Sequence, residues 1–78
     1  MLQKLTTLPI SRLSTLTGVV ASTLRYWGSI GLLPDKRTEP TAWRRYTKAD
    51  VARVQAILRL RALGLTYRGI RWALAVGD

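Results

Sequence analysis

Neither cysteine nor histidine occurs in the 78 residues. Their joint absence removes disulfides, thiol nucleophiles, the commonest zinc sites and imidazole general bases at once. Acidic residues are nearly as scarce, with four Asp and Glu against 13 Lys and Arg. The internal carboxylates Asp35, Glu39 and Asp50 are scattered, so no paired acid and base is expected, and neither catalysis nor a cofactor. No apolar run approaches the roughly 18 residues that a membrane-spanning helix needs, so no membrane association is expected. The opening MLQKLTTLPIS lacks the apolar stretch of a signal peptide. Repeats and low-complexity segments are also missing.

What is present is positive charge. The formal net charge is +9, and ten of the 13 cations are Arg, whose planar fork matches phosphates and base edges. A sequence pI near 11.5 points to a nucleic-acid binder, the alternative being a basic but inert surface. The length allows one domain with a modest core. A composition that is 47% hydrophobic supports a folded chain. Function is therefore expected on a surface rather than in a deep pocket.

Residues 1–8 read as a loose arm, and 9–78 as the folded domain. A first helix is expected over Ser11 to Leu16, with Ile10, Leu13 and Leu16 on its apolar side. Gly18 breaks it, and Val19 plugs the turn. A second helix should run from Val20 or Ala21 to about Ser29, which completes a helix-turn-helix pattern. Gly31 and Pro34 end it, and Leu32 and Leu33 anchor the exit. A short hairpin follows, Lys36 to Thr38 against Trp43 to Tyr46, with its tip at Glu39 to Ala42. Thr47-Lys48-Ala49-Asp50 has the form of a capping box. Val51, Val54, Ile57 and Leu58 continue it as a third helix that ends at Gly64. Thr66 caps a fourth helix, with Ile70, Ala73 and Leu74 facing inward.

Helical geometry sorts the second helix into two sides. Ala21, Leu24 and Trp27 share one, which makes Trp27 a packing residue. Ser22, Arg25, Tyr26 and Ser29 share the other. In the major groove such a helix reads base edges from its N-terminal half, where Ser22 and Arg25 lie. Arg25 suits a guanine edge or a phosphate, and the Tyr26 hydroxyl suits a phosphate oxygen. The competing reading is that Arg25 and Tyr26 stack on the protein's own surface. In the hairpin, Arg44 and Arg45 point to opposite sides of a strand. With Lys36 and Arg37 opposite, they form either a cationic finger beside DNA or a solvated basic turn. Among the Arg residues of the last two helices, Arg59, Arg61 and Arg68 are candidates for flanking phosphates, none preferred.

Three stretches resemble the DNA-binding domain of MerR-type transcription regulators: ISRLSTLTGVVASTLRYWGSIGLLPDKR, AWRRYTKADVARV and LRALGLTYRGI. The family pattern is roughly I-x-x-L-A-x-x-T-G-V, then T-L-R-Y-Y-x-x-I-G-L-L-x-P, then G-Y-R-x-Y, then L-G-F-S-L. The resemblance covers about residues 8 to 75. It implies a mainly α fold with a small β-hairpin: a winged helix-turn-helix of four helices and a two-stranded wing. The recognition helix is then 20–29, in the major groove, and the wing is 36–46, on the backbone. Carried over by position, Thr23, Arg25 and Tyr26 fall in the recognition block, and Arg37, Arg44 and Tyr46 in the wing.

The chain also departs from the pattern. Val20 stands where a capping Ser or Thr is usual, and Thr41-Ala42 stands at the wing tip in place of Asn-Gly. Arg12 and Arg68 replace common Glu positions. No heptad follows residue 70. Self-association is expected either on DNA or through a C-terminal dimerisation helix that these residues do not include.

The expected partner is double-stranded DNA, bound sequence-specifically in the cytoplasm, on the nucleoid. The expected contacts are Ser22, Thr23, Arg25, Tyr26, Lys36, Arg37, Arg44, Arg45 and Tyr46. The alternatives are an excisionase-like architectural factor and a basic protein-interaction module.

Overall fold

The computed structural model describes residues 7–34 and 46–76. They form four helices: α1 (Ile10–Thr17), α2 (Ala21–Ser29), α3 (Lys48–Ala62) and α4 (Tyr67–Val76). α1 packs against both α2 and α3, and α4 folds back on α3. No helix among these residues is long and apolar enough to cross a membrane.

α1 is two turns long and sends Leu13 fully into the core. Leu16, expected on the same buried side, is 50% exposed. It lies too near the helix end to reach the core, and instead borders a shallow groove with Leu8, Val51 and Ala52. The turn that follows is built from backbone. Gly18 takes φ +78°, and its N–H donates to the Ser14 carbonyl at 2.8 Å. A Cβ there would meet nothing within 4 Å, so the requirement is conformational rather than steric. Val19 is buried as the plug of this turn.

α2 begins after Val20, which offers no side-chain cap. An isolated helix of nine residues is unstable in water, so packing must hold it. Leu24 is fully buried and Trp27 is 3% exposed. At its end, Gly31 adopts φ +88°. The Trp27 carbonyl then accepts the N–H of Leu32 at 2.9 Å and of Leu33 at 3.2 Å, which turns both leucines into the core.

Two arginines complete this exit. Arg53 of α3 donates Nε–H to the Leu32 carbonyl at 2.8 Å. Arg71 of α4 donates Nη1–H to the Ile30 carbonyl at 2.7 Å. The Ile30 carbonyl, at the C-cap of α2, lacks an intrahelical partner, and a cation is favoured beside it; the Leu32 carbonyl, just beyond, is a backbone acceptor in the turn. α2 is thereby tied to both later helices.

α3 starts with the expected capping box. The Asp50 carboxylate accepts the Thr47 N–H at 2.9 Å and the Thr47 hydroxyl at 3.4 Å. Its buried stripe is Asp50, Val54 and Ile57. Leu58 falls at the margin of that stripe and is 38% exposed, while Leu60 packs against the core instead. Gly64, at φ +95°, closes the helix, with the Leu65 N–H reaching back to the Leu60 carbonyl at 3.1 Å. Thr66 caps α4 as expected, its hydroxyl accepting the Gly69 N–H at 3.1 Å. Ile70 is fully buried, and Ala73 and Leu74 are half-buried.

No strand occurs among the described residues. The expected hairpin lies outside them except for Tyr46, whose backbone forms an isolated antiparallel bridge with Leu8. The two residues exchange hydrogen bonds of 2.6 and 3.0 Å. Leu8, assigned to the loose arm on sequence, is therefore pinned to the body and packs against the core.

Three substitutions test this packing. Ile57→Ala should lower unfolding stability by about 2–5 kcal/mol, whereas Leu58→Ala should cost well under half as much, both read from urea denaturation. Arg53→Met keeps the aliphatic stem but removes the donor to Leu32. It should cost about 1–2 kcal/mol by the same measurement.

Candidate nucleic-acid interface

The outward side of α2 carries Ser22, Arg25, Tyr26 and Ser29, all exposed. Thr23 is half-buried beside them. This arrangement follows from the burial of Leu24, Trp27 and Gly28 on the opposite side. Arg25 is exposed and makes no hydrogen bond or ion pair among the described residues. The Trp27 indole Nε1 is buried without a hydrogen-bond partner. Leaving such a donor unpaired costs about 1–3 kcal/mol, which the burial of the large ring must offset. Trp27 is thus an anchor and not part of the presented surface.

Tyr26 is half-exposed, at 51%. Its ring meets Tyr67 of α4 edge-on, with centroids 5.9 Å apart and planes at 62°. Tyr67 also meets Trp27 edge-on at 6.4 Å. The Arg61 guanidinium lies 4.4 Å from the centre of the Tyr67 ring. Tyr26, Ile30, Tyr67, Arg68 and Arg71 line an open cleft of about 260 Å³ between α2 and α4.

Of the other residues expected to touch DNA, Lys36, Arg37, Arg44 and Arg45 lie outside the described residues. Tyr46 does not stand on an outward surface. It is 6% exposed and belongs to the core cluster. Its backbone is committed to Leu8, so it forms the packed root of the segment before it.

The arginines of α3 and α4, which sequence treats as one basic set, divide by environment. Arg53 and Arg71 grip carbonyls at the α2 exit, and Arg61 sits on Tyr67. Arg59 and Arg68 are exposed, as are Arg12 and Lys48 on the earlier part of the chain. Asp50 is the single carboxylate among the described residues, and it is occupied in the capping box. Among the described residues the exposed cations therefore have no free carboxylate to meet, which favours an external anion.

Sequence reasoning missed the Arg53 and Arg71 tethers. Their acceptors are backbone carbonyls, which no residue letter advertises. The one available signal was Ile-Gly-Leu-Leu-Pro itself, a helix end whose carbonyls need donors. Tyr67 was missed for a different reason: its two ring partners lie about 40 positions away on another helix.

The chain matches the family model described as MerR HTH family regulatory protein over residues 8–75. It is also 33% identical over 69 residues to the mercuric resistance operon regulatory protein of Bacillus cereus. That similarity covers 88% of this chain and 52% of the relative, so the chain spans about half the length of that protein. The family match takes in α1 to α4 almost completely, together with the exposed Arg25-Tyr26 pair and the buried Trp27 that backs it. The chain belongs to the MerR helix-turn-helix family of regulatory proteins.

Proposed function

We propose that this chain is a sequence-specific double-stranded DNA-binding domain of a transcription regulator that works on the bacterial nucleoid. α2 enters the major groove. Ser22 and Arg25 meet base edges or the adjoining phosphates, and Thr23 and Tyr26 position the helix against the backbone. Lys36, Arg37, Arg44 and Arg45 neutralise phosphates beside it, on a hairpin wing spanning 36–46. The observation that carries this reading is the exposed, unpartnered Arg25 on a helix whose other side is locked by Leu24 and Trp27. A guanidinium held out by a fixed support, with no carboxylate to meet it among the described residues, suits a polyanion.

Family membership supports regulation of transcription as the setting. Because the chain covers about half of its relative, effector sensing and the sense of regulation are not assigned to these residues. A single unit of this size makes few phosphate contacts. Its binding should therefore be modest and should weaken steeply as salt rises.

The test uses duplexes selected from a random pool by the wild-type chain, compared with scrambled ones. Arg25→Ala should cost about 1–3 kcal/mol on the selected duplex and relax the preference for it. Arg44→Ala should weaken selected and scrambled duplexes alike, and should reduce the slope of log affinity against log salt by about one. Electrophoretic shift or fluorescence anisotropy across a salt series reads both effects. If neither substitution changed binding, the assignment would be wrong. An extended footprint over repeated sites, or binding to an acidic protein with no duplex shift, would favour an architectural or a protein-docking role instead.

A further inference from the structure

We propose that Tyr67 is a positioning residue that sets the pose of Tyr26, and through it the DNA-facing side of α2. The inference rests on the reading of α2 as the DNA-contacting helix. Tyr67 is the first residue of α4 and comes from the opposite end of the sequence, yet its ring touches both aromatic residues of α2. The contacts are edge-on, at 5.9 Å to Tyr26 and 6.4 Å to Trp27, the arrangement that ring quadrupoles favour. The Tyr67 ring is itself clasped by Arg61 of α3 at 4.4 Å, a cation–π contact. One half-buried ring therefore joins α2, α3 and α4.

The consequence falls on Tyr26. With about half of its surface exposed, the side chain would otherwise sample several rotamers. A binding partner would have to select one of them, at a cost in conformational entropy. The Tyr67 ring removes that freedom before DNA arrives and leaves the outer half of Tyr26 available. Arg61 completes this support from α3. Tyr67 acts through Tyr26 and does not itself need to touch DNA.

The experiment compares Tyr67→Phe and Tyr67→Leu, each alone and combined with Tyr26→Ala, in the whole chain on a duplex selected by the wild type. Leu keeps an apolar side chain but removes the ring with its hydroxyl, Phe removes the hydroxyl alone, and thermal melting confirms that the variants are folded at the assay temperature. Tyr67→Phe should bind within about twofold of wild type. Tyr67→Leu should bind about three- to tenfold more weakly with an unchanged salt slope, and should cause no further loss when Tyr26 is already Ala. If Tyr67→Phe is as damaging as Tyr67→Leu, the hydroxyl touches DNA directly and the proposal fails. It fails equally if the Leu penalty persists in full without Tyr26, because Tyr67 then serves only the fold.

A DNA-free measurement separates this inference from the functional reading. In the NMR spectrum of the unbound chain, Tyr67→Leu should move the ring-proton resonances of Tyr26 through loss of the neighbouring ring current. Unmoved resonances would overturn the ring contact whatever the chain binds. Failure of the wild type to bind any duplex would overturn the DNA reading, and with it the function given to Tyr67.

Discussion

The burial of the inner side of α2 is the constraint on which the rest depends. The helix is too short to persist alone and lacks a side-chain cap at its start. Leu24 and Trp27 hold it by being almost completely removed from water. Once they are inside, the pitch of a helix leaves Arg25 and Tyr26 no alternative but the outside. The indole accepts an unpaired Nε1 in this position, so shape and area outweigh polarity at the centre of the core. Direction on the outer surface is thus decided by packing on the inner one.

The excess of positive charge does two kinds of work. Some guanidinium groups act within the protein, where backbone carbonyls at the α2 exit and the face of Tyr67 serve as their partners. The fork of Arg is suited to this, because it can satisfy a carbonyl and still pack its stem on apolar neighbours. The remaining cations meet no free carboxylate among the described residues. With 13 Lys and Arg against four Asp and Glu, ion pairing within the chain cannot neutralise them all, and an external anion would relieve their mutual repulsion. Net charge alone does not distinguish the two groups. What each guanidinium meets does.

Much of the framework was legible in the sequence because its signals are local. Gly18, Gly31 and Gly64 mark the chain reversals, and each takes a positive φ. Thr47 with Asp50 announces α3, and Thr66 announces α4. The inward and outward sides of α2 follow from spacing. Errors arose where periodicity is blind to neighbours. Leu16 and Leu58 lie on formally apolar positions, but each falls at the edge of what its short or marginal stripe can bury. Tyr46 matched a motif whose outward members it does not join, because its ring is captured by the core. The bridge to Leu8 and the Tyr26–Tyr67 pair connect residues far apart in the chain, and no local pattern encodes them.

The exchange of hydrogen bonds between Leu8 and Tyr46 fixes more than those two residues. Together with the buried Leu33 just before Pro34, it anchors both boundaries of the stretch that joins α2 to α3. The cost of bringing those boundaries together is met by the body of the protein. Variation in the length or charge of the joining stretch can then be absorbed without transmitting strain to α2. Sequence change can thus accumulate between the two anchors while α2 keeps its orientation.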